Sequence, residues 1–332
     1  MLKDLSLKLL KGAKNLLAFS GGVDSSALFF LLLQHGVKFD IAIVDYGVRK
    51  QSKDEVKYAK ELAQRYNLVC HSLDAEKIEK NFEAKAREMR YGFFEQLIRE
   101  HRYNNLITAH HLGDRFEWML MQFCKGAGCA EMAGMQQVEQ KECYMLIRPL
   151  LHLDKSELLV FLDENKIKYF QDETNFDESI KRNSFRHNFT KPLLQSYLKG
   201  IKKSFEYIDE DKKELIQDTK PQTIDEFAYF KSSGNKRGDI FAIDKYLKTK
   251  QHMASANERE LLKNEKTVVL GRKFIVNQEH GYIFVTPYKN QNMYMPKGFK
   301  EECRVLKIEP KLRPYLYNNQ KAFLKIKELV GA

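Results

Sequence analysis

The chain has 332 residues, 43% of them hydrophobic, and a formal net charge of +11, enough material for two domains with separate cores. Its five cysteines, odd in number and without a C-x-x-C pair, argue against a disulfide framework, a zinc ribbon and an iron–sulfur site, and favour a reducing cytoplasm. No apolar run reaches the ~18 residues of a spanning helix, and MLKDLSLKLLKGAK lacks the apolar core and cleavage site of a secretory signal, so no membrane partner is expected.

The first half alternates short apolar runs with polar-faced helical patterns. NLLAFS predicts a buried strand, then Asp24–Gln34 a helix. FDIAIVDY is a second strand, with a helix over Lys53–Tyr66. LVCHSL is a third, followed by a helix over Phe82–Glu100. NNLITAHH is a fourth, with a helix over Arg115–Phe123, and YMLIRPLL a fifth. This pattern predicts an α/β fold with a parallel sheet covered by helices on both faces. Ligands then sit beyond the carboxyl ends of the strands, where SGGVDS, VDYGVR and AHHLGD fall.

Asp154 to Gln217 reads as mostly helical, interrupted by QDETNFDES, and Asp218–Gln222 as a linker. Beyond it DIFAIDKYL, TVVLGRKFIVN and GYIFVTPY read as strands, NERELLKN as a short helix, and Gly281 as a hairpin turn. The expected organisation is an N-terminal domain over 1–190, a helical connector over 191–220 and a smaller basic α+β domain over 221–332. The last part holds 21 basic and 12 acidic residues, against 35 and 33 before it. A polyanion such as nucleic acid fits that asymmetry, as does a lysine-rich solvated surface.

Ser20-Gly21-Gly22-Val23-Asp24-Ser25 joins a buried strand to a helix. Such a junction presents backbone N–H groups and the positive end of the helix dipole to an anion. The glycines admit phosphate oxygens to the main chain, and Ser20 and Ser25 add donors. No lysine follows, so this is not a Walker A loop. Asp24 would repel a phosphate unless a cation intervenes, which points to Mg²⁺.

SGGVDS resembles the pyrophosphate-binding loop of the N-type ATP pyrophosphatases, the PP-loop superfamily. Four further stretches resemble bacterial tRNA(Ile)-lysidine synthetases: AREMRY (Ala86–Tyr91), HHLGDRFE (His110–Glu117), GAGCAEMAGM with RPLL (Gly126–Met135, Arg148–Leu151), and DETNFDESIKRNSFRH (Asp172–His187). The resemblance covers residues 14 to 190. It departs at Tyr46, Gly113, Trp118 and Glu131, where His, Asp, Thr and Gly are usual, but keeps Arg49, Asp114 and Glu117.

The resemblance implies an ATP- and Mg²⁺-dependent ligase acting on tRNA(Ile) with a CAU anticodon and on free L-lysine. The wobble cytidine is adenylated and lysine then displaces AMP, giving lysidine and an isoleucine in place of a methionine identity. It implies catalytic roles for Asp24, Arg87 and Asp114, with Arg87 a phosphoryl clamp. Asp114 and Glu117, on one helix face, would hold lysine. Arg182, Asn183 and Arg186 would contact tRNA. His110 and His111 follow a strand and face nucleotide or substrate; His-His alone is no zinc spacing. Rival readings are a tRNA thiolase of the same superfamily, for which a cysteine pair is missing, and an ATP-dependent RNA-binding protein without chemistry. The sequence leaves the oligomeric state open, a homodimer included.

Overall fold

The computed structural model of the chain describes residues 1–47, 51–76, 78, 81–171, 181–216, 219, 221–289 and 292–331. They form two compact units, Met1–Asp209 and Glu210–Ala332.

The first unit contains α1 (Asp4–Leu10), β1 (Asn15–Ala18), α2 (Val23–Gln34), β2 (Asp40–Asp45), α3 (Ser52–Tyr66), β3 (Cys70–Asp74), α4 (Phe82–His101), β4 (Asn105–Ile107), α5 (Leu112–Phe123), α6 (Cys129–Met132), β5 (Val138–Gln140), β6 (Met145–Ile147), α7 (Lys155–Glu164) and α8 (Lys181–Phe185). A π-helical turn over Arg186–Thr190 leads into α9 (Lys191–Leu215), which continues past Asp209 into the second unit. The sheet order is β3-β2-β1-β4-β6-β5, parallel throughout except for the edge strand β5. The chain builds outward from β1 to β3, then returns to pair β4 on β1's other side. That reversal opens a crevice at the carboxyl ends of β1 and β4.

Both faces of the central strands β1 and β4 are buried, and the two-residue period of a strand divides the side chains between them. Leu17 and Ile41 pack with Phe29, Leu62 and Leu158 on one face. Leu16 and Ala42 pack with Phe94, Leu97 and Ile98 of α4 on the other. A satellite core joins α5 to α9 through Leu112, Phe116, Leu194 and Phe205.

The second unit contains β7 (Gln222–Ile224), β8 (Phe227–Lys231), α10 (Lys236–Thr249), α11 (Ala256–Asn264), β9 (Thr267–Leu270), β10 (Phe274–Glu279), β11 (Tyr282–Pro287), α12 (Lys297–Val305), a 3₁₀ turn over Pro310–Leu312, α13 (Arg313–Asn318) and α14 (Gln320–Val330). Its sheet, β7-β8-β11-β10-β9, is antiparallel. Phe227, Ile275 and Phe284 face α13 and α14, while Phe230, Val276 and Val285 face α10. The hairpin turn is at His280–Gly281 as expected. Both residues have positive φ, 55° and 74°, the type I′ geometry that matches strand twist.

DIFAIDKYL is not a strand but the body of α10. Its isoleucine, phenylalanine and tyrosine favour strands, yet Ile243 and Leu247 recur at helical spacing and are fully buried. Asn235 caps the helix by accepting from the N–H groups of Arg237 (2.9 Å) and Gly238 (3.3 Å), so packing and cap outweigh propensity. The expected linker is also shorter: Gln222 already opens β7, and Asp218 and Lys220 lie outside the described residues.

The far end of β1 is fixed by a buried amide. Asn15, 1% exposed, donates to the carbonyls of Leu10 (2.9 Å) and Lys38 (2.7 Å) and accepts from Asn105 (2.8 Å). It thereby ties α1, the approach to β2, and β4 to one strand. Asn15→Leu keeps the volume and orphans these groups, so it should lower stability by ~3 kcal/mol, measured by urea unfolding.

Candidate active site

The strand-to-helix junction closes on itself through its own hydroxyls. The Ser25 hydroxyl accepts from Ser20 N–H (3.2 Å), lies 3.1 Å from the Ser20 hydroxyl and donates to the Gly22 carbonyl (3.2 Å). Ser26 donates to the Gly21 carbonyl at 3.1 Å. Gly21 has φ +74°, and a Cβ there would stand 3.2 Å from the Phe170 ring. Only glycine meets both conditions. Phe170 N–H donates to the Gly21 carbonyl at 2.9 Å, so the segment after α7 runs against the loop. Gly22 is the N-cap of α2 and is not capped by a side chain. The first-turn N–H groups of α2, Val23 and Asp24 among them, have no intrahelical acceptor and favour an anion.

Asp24, in that first turn, has a buried Oδ1 without a hydrogen-bond partner. Its Oδ2 lies 3.9 Å from His111 Nε2, and the same nitrogen lies 3.6 Å from Asp114 Oδ2. His111 caps α5: its Nδ1 accepts from Gly113 N–H at 2.9 Å, while Asp114 Oδ2 accepts from His111 N–H at 3.1 Å. An accepting Nδ1 places the ring hydrogen on Nε2, between the two carboxylates. One imidazole therefore bridges the β1 loop and the helix that follows β4.

The second carboxylate of that helix, Glu117, is 1% exposed. It accepts from Nε of Arg182 and, at 2.8 Å, from Nε of Arg186. The same guanidinia reach Asp114 Oδ1 at 3.4 and 3.5 Å. The junction of α8 with the π turn lets two arginines four residues apart converge on one helix; such turns concentrate at functional sites. Burial works to raise the Asp114 pKa, but the histidines and the two guanidinia win and hold it well below the usual carboxylate range. Asp114 is thus held as the carboxylate. His110, with Nδ1 2.9 Å from the Thr108 hydroxyl, is pushed by desolvation from 6.5 down to about 4.

The other predicted residues are placed less centrally. Arg87 is exposed on α4, 4.7 Å above the Tyr91 ring, with its charge still acting on His110. Asn183 is buried. Arg49 and Asp172–Ile180 lie outside the described residues.

A model of the PP-loop domain matches residues 2–193. The tRNA(Ile)-lysidine synthase of Helicobacter pylori strain 26695 is 41% identical over 312 residues, 94% of this chain and 91% of that protein. That of Campylobacter jejuni strain RM1221 is 43% identical over 320 residues, 96% and 97% of the two chains. The chain belongs to the tRNA(Ile)-lysidine synthase family. It is therefore a ligase of tRNA modification with an ATP-binding PP-loop domain. Among solved structures, the U34-tRNA thiolase NcsA from Methanococcus maripaludis with its [4Fe-4S] cluster has a TM-score of 0.53. It covers 65% of this chain and 79% of its own at 16% identity, a likeness of fold.

The four departures from the family pattern have local causes. A Cβ on Gly113 would fall 2.6 Å from the His111 ring, so the glycine admits the cap that aims Nε2. Glu131 accepts from Gly128 N–H at 3.2 Å and caps α6. Tyr46 donates to the Ala86 carbonyl at 3.0 Å, holding the start of α4 to the end of β2. Trp118 lies against Gly134.

Two buried arginines were not singled out as anchors from the sequence. Arg115 donates to the Ala133 carbonyl from Nε (3.1 Å) and Nη2 (2.9 Å) and pairs with Asp209. Arg148 donates to the Gln136 carbonyl (2.8 Å) and to Glu139 (3.1 Å). Together they pin the glycine-rich loop to α5 and β6. A lone arginine inside an otherwise apolar helix face or strand end was the available signal.

His110 supplies a pH test. The unfolded chain takes up its proton near 6.5, the folded one only near 4, so between these values unfolding binds protons and stability falls as pH drops. His110→Gln removes that part. Across this window the wild type should lose stability relative to the variant, read by urea unfolding at several pH values.

Proposed function

We propose that this enzyme makes lysidine in the CAU anticodon of tRNA(Ile). ATP adenylates the C2 oxygen of the wobble cytidine and releases pyrophosphate. The ε-ammonium of free lysine first gives up a proton to solvent; the resulting amine attacks C2, the C2–O bond to AMP breaks, and the second proton lost from nitrogen leaves with AMP or to solvent. The observation that carries the reading is the run of contacts from Asp24 through His111 and Asp114 to Arg182 and Arg186. A loop suited to polyphosphate, carboxylates suited to an ammonium and guanidinia suited to nucleic acid meet at one end of one sheet.

In this reading Ser20, Gly21, Gly22, Val23 and Ser25 hold the pyrophosphate at the start of α2, and Arg87 steadies the phosphoryl group. The orphaned Asp24 Oδ1 suits Mg²⁺, which supplies charge neutralisation on the phosphates when bound. Among the described residues no three His, Cys, Asp or Glu side chains cluster as a metal site, in keeping with a cation held by one carboxylate and by ligand oxygens. His111 holds its Nε2 hydrogen between Asp24 and Asp114 and keeps the two halves of the site in register.

Asp114 and Glu117 bind the lysine ammonium, and Arg182 and Arg186, with Asn183, engage the tRNA. These roles exclude one another while the four charges are paired together. The substrates therefore exchange partners with the protein: nucleic-acid phosphate draws the guanidinia away and the ammonium takes their place. The basic chain after Pro221 gives a second grip on the tRNA, and the setting is cytoplasmic.

The direct test is transfer of radiolabelled lysine to unmodified tRNA(Ile) with equal yields of AMP and pyrophosphate; ATP cleavage without lysine in the RNA would contradict the reading. Asp24→Ala should slow pyrophosphate release on the order of a hundredfold or more. Asp114→Asn should raise the KM for lysine on the order of tenfold and leave that for ATP unchanged, in steady-state kinetics with each substrate varied.

A further inference from the structure

The only tryptophan of the chain follows Glu117 directly and stands one helical turn beyond Asp114, on the same side of α5. It is 47% exposed, whereas Leu112 and Phe116 on the same helix are buried. Exposure of one aromatic side chain is ordinary; its mounting is not. Gly134 has φ +57°, and a Cβ there would come within 2.8 Å of Trp118 Cδ1, so bare backbone supports the pyrrole edge of the indole. That backbone is itself clamped, because the carbonyl of the preceding Ala133 accepts two bonds from the buried Arg115 guanidinium. The indole is held at one edge by a fixed loop while nearly half of its surface stays open.

We infer that Trp118 is a stacking platform for an unstacked base of the anticodon. This rests on the reading of the reaction given above. Chemistry at C2 of a base requires that base to leave its neighbours, and the lost stacking is recovered on an aromatic face. The segment that reaches Glu117 interleaves Arg182 and Arg186 with Phe185 and Phe189, whose rings lie 5.3 Å apart, and Phe189 is 50% exposed. Basic and aromatic side chains side by side form the composition of a single-strand site. An ammonium can also sit over an indole, so the response to lysine alone is the control that separates stacking on RNA from contact with the amino acid. Trp118 is a positioning residue, one helical turn from the carboxylate proposed to hold the attacking amine.

A single tryptophan gives a direct readout in the full-length protein. Its fluorescence, excited beyond the absorption of tyrosine, should be quenched in a saturable way by an RNA stem-loop carrying the CAU anticodon. Lysine alone or ATP alone should leave it unchanged. Trp118→Phe, which keeps a π-face, should retain most of the tRNA affinity. Trp118→Leu, apolar without one, should raise the KM for tRNA on the order of tenfold, with the KM values for ATP and lysine unchanged. Absence of quenching by a stem-loop that demonstrably binds would overturn the proposal, as would equal KM values for the Leu and Phe variants. Should the wild type transfer no lysine, the reading of the reaction fails. Quenching, with stem-loop affinity kept in the Phe variant and lost in the Leu variant, still decides the stacking.

Discussion

Glu117 accepts hydrogen bonds from two arginines while almost wholly removed from water. A carboxylate so placed is tolerable only with partners, since removing one leaves an uncompensated buried charge. The two arginines come from α8 and the π turn, far along the chain, so this single carboxylate draws that segment back onto α5. Asp114 takes the outer ends of the same guanidinia. The result is a neutral group of four charges at the mouth of the crevice between β1 and β4. Each pair is a specific contact within the protein and, in the proposed reaction, a binding group for one substrate.

The second constraint is His111. Its Nδ1 is committed to the cap of α5, which orients Nε2 toward Asp24 and Asp114. Gly113 is what makes that orientation sterically possible. The β1–α2 turn and a carboxylate pair, arising from different strands, are thus spaced by an imidazole whose tautomer is set by a backbone N–H.

Local features were legible in the sequence. SGGVDS read as a strand-to-helix turn because glycine, hydroxyl and carboxylate at those spacings answer to backbone geometry, and NLLAFS and FDIAIVDY read as strands because their apolar runs are bounded by polar or turn residues. Asp114 and Glu117 could be placed on one helix face by counting. Their engagement by Arg182 and Arg186 could not, because the partners are separated by 65 to 72 residues and no local pattern encodes the pairing. DIFAIDKYL misled for the opposite reason: its composition favours a strand, while its burial, set by the sheet beneath, is helical. The anchoring arginines Arg115 and Arg148 likewise act through the carbonyls of a loop whose position no spacing rule supplies.

The central claim is that carboxylates and guanidinia now paired with each other are released to lysine and RNA together. Coupling of that kind is reciprocal, so RNA must tighten lysine by the factor by which lysine tightens RNA. Equilibrium dialysis of labelled lysine against the full-length enzyme, with and without a saturating CAU stem-loop, measures it directly. The account predicts a lower Kd for lysine when the RNA is present; an identical Kd in both conditions would contradict it.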